Sequence, residues 1–154
     1  MKNDVFNYLR QSSTYKEVKE YTVDDKIQLL GLSEERVEKL KRLHTNDINF
    51  DYDKHLRSPE LIEINCDDIV GTTRFDRMSW LDILGIKLHK RGNFEKYVKE
   101  EFKSFIISGK EPNDGFPEVV KKGNNYYIAG NGLHRLTIAK CIGDMRATVV
   151  VRYW

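Results

Sequence analysis

Hydrophobic positions along the chain change their period several times, and each change predicts an element. Val5, Phe6 and Leu9 share one side of a short helix over residues 3–9, and Thr14 is placed to cap a second over 15–21. Thr22 followed by Asp25 forms a capping-box pattern ahead of Ile27, Leu29 and Leu30, and Gly31 stops that helix. Ser33 caps the next segment, residues 34–43. Glu34 and Glu35 lie in its first turn and Lys39, Lys41 and Arg42 near its end, the charge order a helix dipole favours. Val37, Leu40 and Leu43 give it an apolar stripe.

Residues 45–58 lose this periodicity and read as a polar linker, with Phe50 and Tyr52 as anchors. After Pro59 the pattern changes regime. Residues 61–64 predict a strand, 67–71 a turn, and 72–77 a polar loop with two arginines and one carboxylate. Ser79 caps a helix from Trp80 that ends near Gly85. Residues 93–108 show the most regular helical pattern, with Phe94, Tyr97, Val98, Phe102, Phe105 and Ile106 at spacings of three and four, a stripe suited to a core. A turn at 111–115 leads to strands over 116–121 and 126–129, joined by a hairpin turn at 122–125. Then come a glycine turn (Gly130, Asn131, Gly132), a helix including residues 136–142, a stop at Gly143 and Asp144, and a β-branched strand over 147–151. The expected fold is α+β, a small mixed sheet with packed helices. It divides into a helical N-terminal segment and linker, 1–58, and a compact domain, 59–154.

Composition narrows this picture little. An apolar fraction of 40% in 154 residues suffices for one core, and 26 basic against 24 acidic residues leave a net charge of only +2. Global charge therefore carries no nucleic-acid signature. The apolar runs are too short to span a bilayer, and residues 1–10 lack the apolar core of a signal peptide, so a cytoplasmic protein is expected. Cys66 and Cys141 stand alone, which suits buried thiols in a reducing compartment.

Candidate chemistry concentrates in Gly130, Asn131, Gly132, Leu133, His134 and Arg135. Glycines between a strand and a helix let backbone N–H groups converge on an anion. Arg135 adds a guanidinium fork, and His134 can donate to phosphate or relay a proton. The same glycines also suit a plain tight turn. The spacing is neither a P-loop nor a dinucleotide fingerprint, and Lys140 lies too far into the helix to serve as a P-loop lysine. Asp76, beside Arg74 and Arg77, is the candidate carboxylate for a metal ion or a general base. Glu118 alternates with Val119 and is expected to face solvent, and Asp67 and Asp68 to end a strand. The paired segments around Gly31 to Ser33 resemble a helix-turn-helix in outline, with Lys39, Lys41 and Arg42 on the second helix. The alternative is a plain helical packing segment.

Phe116-Pro117-Glu118-Val119-Val120, Tyr127-Ile128-Ala129-Gly130, the box Gly132-Leu133-His134-Arg135, Ala139-Lys140, Gly143 and the last strand resemble the ParB/sulfiredoxin superfamily. The likeness is specific from residue 116 onward and looser over 60–110, where strand 61–64 and the Arg74 loop follow the family's order. It implies a domain that binds a nucleoside triphosphate, ATP or CTP, with Mg2+. Arg135 and the backbone of residues 131–134 would hold the phosphates, Arg74 would neutralise charge from across the site, and Asp76 would serve the metal. Relatives of this type hydrolyse cytidine triphosphate, phosphorylate cysteine sulfinate or free serine, or act as nucleases. Leu133 stands where sulfiredoxins carry their cysteine and partition proteins a glutamate, and His134 replaces an arginine. Sulfiredoxin chemistry is therefore not expected. The leading expectation is a phosphotransferase or hydrolase. The alternatives are a catalytically silent DNA- or protein-binding module and a ParB-like nuclease, with DNA and a second copy of the chain as candidate partners.

Overall fold

Local capping signals are realised in the computed structural model, which describes residues 21–48, 58–88 and 115–154. The expected helices over 3–9, 15–21 and 93–108, the anchors Phe50 and Tyr52 and most of the 111–115 turn lie outside these residues. Helix α1 (Val23–Leu30) opens on the expected box: Thr22 Oγ1 accepts from Asp25 N at 3.2 Å, and Asp25 Oδ2 accepts from Thr22 N at 3.1 Å. Helix α2 (Glu34–Arg42) is capped by Ser33, whose Oγ accepts from Arg36 N. Satisfying these first-turn N–H groups is worth about 1 kcal/mol per cap.

Five strands form one mixed sheet: β1 (Glu60–Asn65), β2 (Ile69–Thr72), β3 (Glu118–Lys122), β4 (Asn125–Ala129) and β5 (Arg146–Tyr153), in the order β1-β5-β3-β4-β2. β1 pairs with β5 and β3 with β4 antiparallel, while β2 with β4 and β3 with β5 run parallel. Residues 69–71, expected in a turn, are strand: a short 3-10 turn at Cys66–Asp68 reverses the chain and Ile69 re-enters the sheet beside β4. Periodicity missed this because four residues carry too little alternation.

The start of the expected linker is also structured. Asn46 N donates to Val70 O at 2.8 Å, Thr45 N to Met78 O at 2.9 Å, and His44 bridges Ser79. A sheet edge leaves backbone groups in need of partners, and this segment supplies them to β2. Ser79 caps a single turn, α3 (Trp80–Asp82), which widens into a π-turn at Ile83–Lys87, so Gly85 sits within the element and not at its end.

Helix α4 (Leu133–Ile142) is buried on nearly every side, from Leu133 through Cys141 apart from half-buried His134. Tyr21, Leu29, Leu30 and Leu40 share one core with Trp80, Leu136, Ile138 and Val149, so the hydrophobic cluster runs continuously across the expected division at residue 58. Two cations join the N-terminal helices to the rest. Lys26, 2% exposed, donates to Leu84 O, Gly85 O and Leu88 O, at the end of the π-turn. Arg36 donates from Nε to Cys141 O and from Nη2 to Lys140 O, capping the C-terminus of α4 from α2. No helix among the described residues is long and apolar enough to cross a membrane.

Candidate functional site

Strand direction decides what meets at the glycine turn. β2 and β4 run parallel, so the loop leaving β2 and the turn leaving β4 emerge at the same end of the sheet. Thr73 N donates to Ile128 O at 2.9 Å, continuing the pairing past the end of β2, and Arg74 N donates to Thr72 Oγ1. The chain then delivers the exposed Arg74 side chain to the turn, where Nη2 donates to Gly130 O at 2.6 Å.

The turn itself is held open by two left-handed glycines, Gly130 at φ 59 and Gly132 at φ 104. Gly132 is the N-cap of α4 and offers no side chain, so the first-turn N–H groups lack the side-chain cap that Thr22, Ser33 and Ser79 give the other three helices. A Cβ on Gly132 would meet Pro117 Cβ at 2.6 Å, which fixes the turn tightly against the start of β3. Asn131 joins the same contact: its carbonyl accepts from Glu118 N at 2.9 Å and its side-chain amide donates to Phe116 O at 3.4 Å.

The expected site residues divide into three groups. Arg74, Gly130, Asn131 and Gly132 come together. Arg135, 3% exposed, donates from Nη1 to Gly115 O at 2.6 Å, anchoring the segment that leads into β3. Leu133 joins the core at 6% exposure and His134 is half-buried with its Nε2 shielded from solvent. Asp76 is exposed in the loop beyond Arg74 and makes no hydrogen bond or ion pair among the described residues.

Two charged residues join the cluster that the pattern did not favour. Glu118, expected to face solvent, lies against the turn: a Cβ on Gly130 would sit 2.5 Å from its Oε2. That carboxylate pairs with Arg152 Nε at 3.7 Å, with side chains 31% and 33% exposed. Strand alternation failed here because β3 is central and covered on both faces, Val119 and Val120 being equally buried. Pro117 just before Glu118 was a signal for the start of the strand. Nothing in the sequence links Glu118 to Arg152, since that contact follows from the β3–β5 register.

Other candidate groups serve the frame. Asp67 accepts Asp144 N on its carboxylate at 3.2 and 3.3 Å, and its carbonyl accepts Lys140 Nζ at 2.7 Å. Lys140 also lies over the Trp80 ring, 5.5 Å from its centroid. Burial lowers its pKa and the nearby Asp67 opposes that shift. Burial pushes the Cys66 and Cys141 thiols up to about 12, so both are inert as nucleophiles. On α2 the basic face of the helix-turn-helix outline is not a basic stripe. Lys39 and Arg42 line a surface groove with Glu35, Glu38 and Leu43, and Arg42 pairs with Glu38 at 3.8 Å.

Comparison of the chain with protein-family models, with curated proteins and with solved structures found no match.

Proposed function

We propose that the chain binds a nucleoside triphosphate at the glycine turn, within a domain of the ParB/sulfiredoxin type, and transfers or hydrolyses its terminal phosphoryl group. The observation that carries this reading is the hydrogen bond from Arg74 Nη2 to Gly130 O. It brings an exposed guanidinium from a distant loop to a glycine turn that opens a helix without a side-chain cap. Phosphate recognition needs both kinds of group, convergent N–H donors and a mobile positive charge.

In this reading the N–H groups of the first turn of α4 hold the phosphates. Arg74 exchanges its bond to the Gly130 carbonyl for one to a phosphate oxygen and offsets the charge that grows during transfer. His134 would act on phosphate or relay a proton only through Nδ1, since its Nε2 is shielded from solvent. Arg135 acts as a positioning residue, through the segment it anchors at Gly115. Leu133 in the core presents no nucleophile, which favours transfer to an external acceptor or to water over a covalent enzyme intermediate. Mg2+ bound with the nucleotide would supply further charge neutralisation at the phosphate oxygens.

Isothermal titration of the purified chain with ATP and with CTP, each with Mg2+, tests the reading. The wild type is expected to bind at least one of them and Arg74→Ala to bind about ten-fold more weakly, the loss of about one charge-assisted hydrogen bond. No binding by the wild type, or equal binding by both proteins, overturns it.

A further inference from the structure

Glu118 sets a constraint on what the glycine turn accepts. Its Oε2 lies against Gly130, at the position a Cβ on that residue would approach to 2.5 Å, and Arg74 binds the carbonyl of the same residue at 2.6 Å. Arg152 closes the row, with Nε 3.7 Å from the carboxylate. Gly130 is thus met by the Arg74 guanidinium from the loop after β2 and by the Glu118 carboxylate from β3, and Arg152 from β5 pairs with that carboxylate. The backbone of Glu118 is tied to the turn, since its N donates to Asn131 O.

A bare phosphate entering such a cluster gains from the arginines and loses to the carboxylate. A divalent cation between phosphate and carboxylate reverses the second contribution. Magnesium commonly takes one or two protein carboxylates and completes its shell with substrate phosphates and water. Among the described residues no three His, Cys, Asp or Glu side chains converge to hold an ion, so a cation here would share its ligands with the phosphates. Glu118 fits that role in position and chemistry, whereas no contact among the described residues links Asp76 to the turn.

We propose, resting on the phosphate-binding reading above, that Glu118 makes this site selective for metal-complexed polyphosphate over free polyphosphate. The carboxylate exchanges its ion pair with Arg152 for a bond to the divalent cation that the phosphates carry, and Arg152 is released toward the phosphate oxygens. No covalent bond changes, and one cation replaces another at the carboxylate.

The test measures ATP affinity by isothermal titration in Mg2+ and in EDTA, for the wild type, Glu118→Gln and Arg152→Gln, each first checked for a native melting transition. The wild type is expected to bind at least about ten-fold more tightly with Mg2+. In Glu118→Gln that ratio falls to about one, because binding of metal-free ATP improves while binding of the complex weakens. Arg152→Gln, which removes the competitor for the carboxylate, raises the ratio even where its overall affinity falls, and it decides the matter if Glu118→Gln does not fold. A ratio in Glu118→Gln equal to that of the wild type, or no rise in Arg152→Gln, overturns the role of Glu118 and leaves phosphate binding standing. Failure of the wild type to bind ATP in either buffer overturns the phosphate-binding reading and this inference together.

Discussion

Arg74 and Gly130 are separated by 56 positions, yet Arg74 Nη2 lies 2.6 Å from the Gly130 carbonyl oxygen. The contact follows from the parallel pairing of β2 with β4, which brings the ends of both strands to one edge of the sheet. Arg135, next to the turn in sequence, instead binds the Gly115 carbonyl in the segment ahead of β3. The two arginines therefore differ in setting, one exposed at the turn and the other buried.

This difference separates under mutation. Arg74→Ala removes an exposed side chain and is expected to change stability by less than about 0.5 kcal/mol. Arg135→Ala removes a side chain that is itself buried, with its charge-assisted bond to the Gly115 carbonyl, a loss of about 2 kcal/mol. Chemical denaturation of both variants checks this, and equal stability losses would contradict the assignment.

Gly132 and Gly123 both hold positive φ, at 104° and 61°, but only Gly132 is crowded. Gly123→Ala meets nothing within 4 Å and carries the backbone cost alone, about 1 kcal/mol. Gly132→Ala adds a clash with Pro117 and is expected to cost well over about 2 kcal/mol and to displace the turn from β3. Melting curves of the two variants give the comparison.

Arg36 caps α4 through the carbonyls of Lys140 and Cys141. Arg36→Ala is expected to lower stability by about 1–2 kcal/mol. It should also speed amide exchange in the last turn of α4, including Gly143, whose N–H bonds Ala139 O. Unchanged exchange there, measured by native-state hydrogen exchange, would count against α2 as the clasp of this helix.

The thiols predict a pH dependence. In the unfolded chain Cys66 and Cys141 ionise near 9.0, whereas burial holds both folded thiols at about 12. Above pH 9 the unfolded state releases protons that the folded state keeps, so stability falls as pH climbs from 9 toward 12, by about 1.4 kcal/mol per pH unit for each thiol. Below pH 9 both states carry the neutral thiol and this contribution stays intact. Lys140, with its pKa lowered in the fold, works in the opposite direction as pH approaches 10.5. Cys141→Ala isolates the effect, since its alkaline decline should be shallower than that of the wild type in denaturant titrations across this range. At pH 8 both thiols should resist a water-soluble thiol reagent until the chain unfolds.

Short-range signals were legible because their chemistry is local. The Thr22–Asp25 box, the Ser33 and Ser79 caps and the β3–β4 hairpin each involve residues within a few positions of one another, and all form where expected. So does the glycine turn, where the backbone itself demands positive φ. Polar residues inside the structure were harder to read. Arg135, Thr137 and Lys140 leave α4 without an amphipathic pattern although it is almost wholly buried, because their polar atoms meet partners from other elements or lie enclosed in the packing. Glu118 likewise read as a surface charge until strand register placed Arg152 beside it.

The amino-acid sequence by itself determined the α+β character, the caps, the turns and the position of the glycine turn between β4 and α4. Each depends on the conformational preferences of a few adjacent residues. Tertiary structure alone decided which charges face that place. A hydrogen-bonded sheet fixes the direction and register of strands far apart in the chain, and direction and register determine that Arg74 and Glu118 reach the turn, while Arg135 binds the Gly115 carbonyl ahead of β3.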